Sequence, residues 1–168
     1  MSDRKLARKS PVPVAAPARR NGGKDLALGS LNEHLGYFAR RLQVWIFQDF
    51  IRTLAPVQIR PAQFSVLVVI GANPGLSQAD LSQALAIERA RLVRLLDRLE
   101  RRGLTERRPS PRDRRSHALF LTREGQKLLK RAEGLAAAHE TKLVARLGVT
   151  RHAQILATLR DFSRDLRD

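Results

Sequence analysis

The sequence predicts a mainly α-helical fold with one two-stranded β hairpin, and three observations support this prediction. Apolar residues recur three and four residues apart over most of the chain beyond residue 30, as they do along one face of a helix. One stretch, 104–121, instead has two short apolar segments on either side of a polar, Pro-containing turn. The formal net charge of +16 over 168 residues indicates a polyanionic partner, and the length suits one domain.

The N-terminal segment, residues 1–25, differs from the rest in composition. It contains Pro11, Pro13 and Pro17 together with a Gly pair, and its charge is mostly basic. Such a composition predicts a disordered basic arm, either an inert tail, which we favour, or an arm that touches DNA. The remaining residues, 26–168, are expected to form the single domain.

The first two helices have clear sequence boundaries. Ser30 with Glu33 three residues later is the pattern of a capping box, which predicts a first helix over about 30–54 that ends before Pro56. Pro61 is a favoured first-turn residue and predicts the start of a second helix, and the turn at 73–75 predicts its end.

Two further helices and the hairpin follow. Ser77 is expected to cap a short helix through about residue 84, and a brief turn at 85–87 leads to a helix over 88–102 that Gly103 ends. The strands are predicted at 104–108 and 118–121.

Two long helices complete the chain. Thr122 is expected to cap one over about 123–147, Gly148 to break it, and Thr150 to cap the last helix, to about residue 166. The segments 30–54 and 123–167 have more apolar helix surface than the core of one chain of this size can bury. We therefore expect them to pair with a second copy in a homodimer. Residues 61–122 then form a separate lobe.

The helix over 88–102 carries the functional signal. Its four leucines, Leu92, Leu95, Leu96 and Leu99, fall on one face, and arginines occupy the opposite side. A short helix and a tight turn precede it, which together predict a helix-turn-helix whose second helix enters the major groove of double-stranded DNA. The alternative is an ordinary helix with a solvated Arg face. The expected DNA-binding residues of this part are Ser77, Gln78, Arg89, Ala90, Arg91, Arg94 and Arg98.

Different contacts are expected along that helix. Arg91 and Arg94 are predicted to read base edges, since a guanidinium bridges the O6 and N7 atoms of guanine. Ala90 can rest against a thymine methyl group. Arg98 lies further along and is expected to contact phosphate.

The turn of the hairpin is strongly basic. It carries Arg112, Asp113, Arg114 and Arg115 directly after the arginine-rich helix. A basic hairpin beside a helix-turn-helix is typical of a wing, whose tip inserts Arg into the minor groove. Asp113 is expected to pair with and orient a neighbouring Arg, and the alternative is a solvated charged turn.

Four segments carry a resemblance to a known family. The stretches LSQALAI (81–87), LLDRLERRGL (95–104), RPSPRDRR (108–115) and LFLTREG (119–125) resemble the MarR family of winged-helix regulators. The resemblance implies a winged helix-turn-helix fold, Arg115 in the minor groove with Asp113 as its support, and a dimer built from the first and the last two helices. It also implies repression that a small, often aromatic, ligand relieves. Ala90 departs from the polar residue that the family often has there.

The resemblance implies an effector site at the first two helices, where the sequence has aromatic and basic residues. An Arg beside aromatic rings suits an aromatic acid or a conjugate that carries carboxylate or phosphate. The segment 37–54, followed by RPAQF (60–64), is similar to members that sense hydroxycinnamoyl-type coenzyme A thioesters. The alternative is that the aromatic residues are core. The expected ligand-binding residues are Tyr37, Phe38, Arg40, Arg41, Trp45 and Phe64.

The sequence thus predicts a sequence-specific DNA-binding transcriptional regulator. The resemblance implies in addition a repressor that a small aromatic-type ligand, such as an aromatic acid or its CoA thioester, releases from a pseudo-palindromic operator. The alternative is an architectural protein that coats DNA without sequence preference. No Gly-rich phosphate loop, nucleophile elbow or zinc spacing predicts an enzyme, a metal site or a cofactor. The absence of cysteine and of long apolar runs leads us to expect a cytoplasmic protein without membrane segments.

Overall fold

The computed structural model describes residues 26–109 and 117–165. These residues form six α-helices and one two-stranded antiparallel sheet, in the order predicted. The helices are α1 (Leu35–Leu54), α2 (Pro61–Ala72), α3 (Gln78–Leu85), α4 (Arg89–Arg101), α5 (Arg123–Leu147) and α6 (Val149–Asp165), and the strands are β1 (Thr105–Pro109) and β2 (His117–Leu121). The mainly α-helical fold with a β hairpin is therefore confirmed.

The core lies where α2, α3 and α4 meet the start of α5 and the end of α1. It is almost entirely aliphatic, and its fully buried side chains include Leu54, Leu67, Leu81 and Leu99. α2 is apolar on nearly all sides because it is the central element of this cluster. Burial of these side chains contributes about 1.5–3 kcal/mol each, so the lobe is held mainly by hydrophobic packing.

Main-chain hydrogen bonds join the hairpin to the turn after α2. Thr105 pairs with Leu121 at one end of the β1–β2 ladder and Pro109 with His117 at the other. On the free side of β2, Gly75 donates its N–H to the carbonyl of Leu119 (2.8 Å), and the N–H of Leu119 donates to Leu76 (3.0 Å). The base of the hairpin is thereby fixed to the α2–α3 turn.

A tight joint connects the hairpin corner to α5. Thr122 caps α5, as predicted, by accepting the N–H of Gly125 (3.0 Å), and its own N–H donates to the carbonyl of Leu104 (3.1 Å). A Cβ atom at Gly125 would lie 1.9 Å from that same carbonyl oxygen. The first turn of α5 therefore approaches the backbone at Leu104 more closely than any residue but glycine allows.

Two helix starts differ from the prediction. Ser30 does not cap α1, since residues Gly29–Glu33 form a 3-10 turn with Gly29 at φ +55° and the helix begins at Leu35 after an extended His34. Thr150 lies inside α6 rather than capping it. Gly148, at φ +83°, ends α5 and lets the next helix begin at once.

The strand boundaries also shift slightly. β1 begins one residue later than expected and includes Pro109, because that proline is the last residue of the ladder, where its missing N–H costs little. Leu104 precedes the strand and is buried in the core.

The terminal helices expose a broad apolar surface in the single chain. Leu159 and Phe162 of α6 are 55% and 56% exposed, although helical spacing predicts that they face inward. On α1, Leu35, Phe38 and Phe47 are also exposed. Within the described residues of one chain, no core covers these side chains, as expected of helices that pair with a second copy.

Over the described residues, no single helix combines the length and apolar character that a membrane crossing needs. Only α1 and α2 taken together pass such a test, and they are bent by 69° relative to each other.

Candidate DNA-binding surface and ligand hollow

The geometry of α3 and α4 is that of a helix-turn-helix. α3 begins with a capping box, in which Asp80 donates its N–H to the Ser77 hydroxyl (3.1 Å) and its carboxylate accepts from Ser77. The turn to α4 passes through Ala86 in the left-handed region (φ +49°). It is closed by the Ser82 hydroxyl, which donates to the carbonyl of Ile87 (2.7 Å). The angle between the two helices is thus set by local hydrogen bonds.

The predicted faces of α4 are confirmed. Leu92, Leu95, Leu96 and Leu99 are all buried, at 6% exposure or less. Glu88 caps the helix by accepting the N–H of Ala90 (3.3 Å). The other side is open to solvent. It carries Arg89, Ala90, Arg91, Arg94 and Arg98, all of them exposed.

The exposed arginines of α4 are not neutralised within the described part of the chain. None of Arg91, Arg94 and Arg98 has a carboxylate within 4.0 Å among residues 26–109 and 117–165. Their guanidinium groups are therefore available to an external anion, and α4 concentrates positive charge on the surface that a groove-binding helix would present.

Arg107 of β1 behaves differently, and it was not among the residues predicted from the sequence. Its guanidinium bridges two carboxylates on α4, Asp97 (2.7 Å) and Glu100 (2.5 Å), and its side chain is only 21% exposed. The N–H of Arg107 also donates to Glu100. The pair of acids three residues apart on α4 was the available signal, because such residues share one helix face. This clamp holds the hairpin against α4.

The base of the wing is described, and its tip is not. Arg108 lies over the ring of Phe120 on the neighbouring strand, 4.6 Å from the centroid, and pairs with Glu106. The predicted minor-groove residues Arg112, Asp113, Arg114 and Arg115 lie outside the described residues, as does the segment 1–25.

Ser77 and Gln78 occupy the start of α3, beside the hairpin. Both are half-buried, and the Ser77 hydroxyl is engaged in the cap. Ser77 also forms an isolated bridge with Ala118 of β2.

A hollow of about 490 Å³ lies along α1, and we name it the aromatic hollow. Four of the six predicted ligand-binding residues meet in it. Arg41 lies over the ring of Tyr37 and donates to its hydroxyl (3.3 Å). Arg146 from α5 lies over the ring of Trp45, 4.6 Å from the centroid. The lining residues of the aromatic hollow are Tyr37, Arg40, Arg41, Val44, Trp45 and Gln48.

The other two predicted ligand residues lie elsewhere. Phe38 packs edge-on against Tyr37, outside the lining of the hollow, with 44% of its surface exposed. Phe64 packs against Phe50 (5.5 Å between centroids) at the edge of the core. The core interpretation therefore fits Phe64. Of the residues missed, Val44 and Gln48 follow helical spacing from Tyr37, whereas nothing in the sequence relates Arg146 to Trp45.

Below the aromatic hollow, α1 contacts α5 through a charged group of side chains. Nε2 of the buried His139 lies 3.2 Å from Asp49, and its ring packs against Phe50. The hydrogen bond from Arg52 lowers the pKa of Asp49 below its ordinary value, assisted by the charges of Arg52 and His139. The carboxylate is thus held ionised between the two helices.

Comparison with known proteins agrees with this geometry. The model of the MarR family matches residues 57–116. A putative transcriptional regulatory protein for the hcr operon of Thauera aromatica is 34% identical over 137 residues, which are 81% of this chain and 82% of the relative.

Two solved structures of the transcriptional repressor CouR are also similar to this chain. One is bound to a 23-mer DNA duplex, is 45% identical and has a TM-score of 0.81. The other is bound to p-coumaroyl-CoA, is 42% identical and has a TM-score of 0.78. Each alignment covers 83% of this chain and 99% of the CouR chain.

Proposed function

Because the chain belongs to the MarR family of transcriptional regulators, we propose that it is a sequence-specific repressor that binds a pseudo-palindromic operator as a homodimer. A small aromatic-type ligand, an aromatic acid or its CoA thioester, releases it from DNA. In this proposal residues 26–168 form one domain. Residues 61–122 bind DNA, and 30–54 and 123–167 dimerise. The protein acts where the bacterial chromosome lies, in the cytoplasm.

One observation carries the DNA-binding part of the proposal. The leucine face fixes α4 to the core, and the opposite face presents arginines without carboxylate partners in the described chain. A rigid helix with free guanidinium groups suits the major groove, where Arg reads guanine through two hydrogen bonds. We assign base contacts to Arg91 and Arg94, and phosphate contact to Arg98. Ser77, Gln78, Arg89, Ala90 and the wing residues 112–115 complete the proposed surface.

The aromatic hollow supports the ligand part. The rings of Tyr37 and Trp45 provide flat apolar surfaces, and the guanidinium groups stacked on them provide positive charge. This combination suits an aromatic ring attached to an anionic group. CouR, which is similar over most of this chain, has been captured both with DNA and with p-coumaroyl-CoA. We therefore propose Tyr37, Arg40, Arg41 and Trp45 as ligand contacts, with Phe38 at the edge.

Specificity separates this proposal from the architectural alternative. Duplexes that the protein selects from a random pool are compared with scrambled versions of the same composition at fixed salt concentration. A regulator binds the selected site about 10³-fold or more tightly than the scrambled one. Equal affinity for both duplexes would establish an architectural coat instead.

A variant tests the role of α4 in the same assay. Arg94→Ala is expected to weaken specific binding by about 1–3 kcal/mol and to relax the preference at one base pair. The matched control is Arg131→Ala, which removes the same charge from an exposed position on α5. If both variants keep the wild-type base preference, α4 does not read the operator through Arg94.

Ligand release is tested by titrating p-coumaroyl-CoA, p-coumarate and free CoA into the protein–operator complex and following fluorescence anisotropy. The proposal expects release by at least one aromatic compound and a weaker response for Arg41→Gln than for Arg131→Gln. An identical response of the two variants contradicts the placement of the ligand in the aromatic hollow.

A further inference from the structure

A second hollow, of about 400 Å³, lies between the start of α2 and the length of α4. Four arginines line it, and no acidic residue does. Two of them, Arg91 and Arg98, also belong to the exposed face of α4, so the hollow is continuous with the proposed DNA surface. We call it the arginine hollow, and its lining is Gln58, Arg60, Ala62, Gln63, Arg91, Leu95, Arg98 and Arg102.

One wall of the arginine hollow is held in place by the backbone. Arg102 donates from Nη1 to the carbonyl of Gln58 (2.7 Å) and from Nη2 to that of Val57 (3.4 Å). Gln58 adopts a left-handed conformation (φ +53°), which directs its carbonyl toward this guanidinium. The end of α4 is thereby tied to the turn before α2, across 44 residues of chain.

Gln63 fixes the main chain of Arg60 at the edge of the hollow. Gln63 is 8% exposed, and its side-chain oxygen accepts the N–H of Arg60 (2.9 Å). Arg60 is thereby held at the start of α2, beside the hollow that both residues line.

The charge distribution defines the chemistry of that partner. Arg107 and Arg108 are paired with carboxylates, whereas Arg60, Arg91 and Arg98 have none within 4.0 Å among the described residues. Four guanidinium groups gathered without an acid repel one another, and a bound anion removes that cost. The planar fork of Arg matches phosphate oxygens in particular.

We propose that the arginine hollow binds one phosphate ester group, which in the complex with DNA is a backbone phosphodiester beside α4. The inference rests on the proposed function, and it adds Arg60, from outside the helix-turn-helix, as a phosphate-binding residue. Since α2 is the central helix of the core, a phosphate held at its start fixes α4 in the groove relative to the whole lobe.

The test uses the full-length protein and its selected operator. Arg60→Gln removes the charge but keeps the main-chain N–H that bonds to Gln63. Its plot of log affinity against log salt should be shallower by about 0.9, the change expected when the protein neutralises one phosphate fewer, and affinity should fall about tenfold at low salt. Arg131→Gln is the control, with a wild-type slope.

Neutral backbone positions locate the contact. Methylphosphonate is placed at each operator phosphate in turn, and wild-type protein should lose affinity at the phosphate that the hollow holds. Arg60→Gln should be insensitive at that position, whereas Arg131→Gln should be as sensitive as wild type. If Arg60→Gln keeps both the wild-type slope and the wild-type methylphosphonate profile, the DNA contact is refuted.

A second arm separates DNA from free phosphate esters. The melting temperature is measured with inorganic phosphate against chloride at equal ionic strength. If phosphate stabilises wild type but not Arg60→Gln while DNA binding is unchanged, the hollow holds a free phosphate and the DNA source is wrong. If wild type selects no duplex at all, the proposed function fails rather than this site. If wild type does select a duplex, and Arg60→Gln matches wild type both in DNA binding and in its melting temperature with phosphate, the proposed phosphate site is overturned and the proposed function stands.

Discussion

Gly125→Ala should damage the joint between the hairpin corner and α5 although it adds only one methyl group. The new Cβ would lie 1.9 Å from the carbonyl oxygen of Leu104 and 2.9 Å from its carbonyl carbon. Both atoms belong to the main chain, so no side-chain rotation relieves the overlap. The start of α5 must move away from Leu104 by more than 1 Å, to restore about 3.3 Å of contact distance.

The cost of that movement can be added from its parts. Forced overpacking costs about 1–3 kcal/mol. Loss of the hydrogen bond from Thr122 to Leu104 and weakening of the Thr122 cap cost about 1 kcal/mol each. Replacing Gly by Ala inside a helix returns about 1 kcal/mol. We therefore expect a loss of about 2–4 kcal/mol in the free energy of unfolding.

The assay is urea unfolding of wild type, Gly125→Ala and the control variant Gly134→Ala at one protein concentration, followed by circular dichroism. With a slope of about 2 kcal/mol per molar urea, the middle of the usual range, the midpoint should fall by about 1–2 M. Gly134→Ala is the matched control, because it lies in the same helix and its Cβ would meet nothing within 4 Å. That variant should gain about 0.4–1 kcal/mol. Equal stabilities of the two variants would refute the close approach at Leu104.

Three further predictions concern the clamp, the apolar surface and the α1–α5 contact. Arg107→Ala should lower the free energy of unfolding by about 1–3 kcal/mol in urea titration, since two carboxylates of α4 lose their partner; a loss below about 0.5 kcal/mol contradicts the clamp. Phe162→Asp should convert a dimer of the 18.9-kDa chain to monomer in light scattering, whereas Ala157→Asp, on the opposite side of α6, should not. Since Arg52 lowers the pKa of Asp49 below 3.8, ionisation of Asp49 stabilises the fold above that pH, and this stability disappears as pH falls through the lowered value. Asp49→Asn should therefore be less stable than wild type at about pH 7 but equal to it in strong acid by chemical denaturation, and a constant difference at all pH values contradicts this reasoning.

Local patterns predicted α4 well, for physical reasons. Its leucine spacing, its start after a short turn and the glycine at its end all involve residues within one or two helical turns of one another. Gly103 indeed has φ +66° after the last turn. Such signals depend little on the rest of the chain, so they survive folding unchanged.

The two wrong helix starts show where local patterns compete. Ser30 and Glu33 have the spacing of a capping box, but the extended backbone at His34 interrupts the helix that the box would begin. Thr150 is a better cap than Gly148 by side-chain chemistry. Gly148 starts α6 nonetheless, because its positive φ reverses the chain within one residue.

Contacts between distant segments could not be predicted from the sequence. Tyr37, Arg41 and Trp45 were predicted as aromatic and basic residues of the first helix, where the family resemblance implies a pocket. Arg146, stacked on Trp45, comes from another helix, and the bond from Arg102 to Gln58 spans 44 residues. Periodicity describes one helix at a time, so it relates the α1 residues of the aromatic hollow to one another but does not relate Trp45 to Arg146, or Arg102 to Gln58.

The net charge of +16 can be related to function only when the arginines that pair with carboxylates are separated from those that do not. Arg107 is neutralised by two acids of α4, so it holds the base of the wing in place, and Arg108 is neutralised by Glu106 of its own strand. Arg94 has no such partner in the described chain, so its charge is available to DNA. Loss of a paired arginine should therefore reduce stability more than affinity, whereas loss of an unpaired one should reduce affinity and leave stability nearly unchanged. A composition can indicate that a polyanion binds, but the distribution of carboxylates decides which arginines bind it.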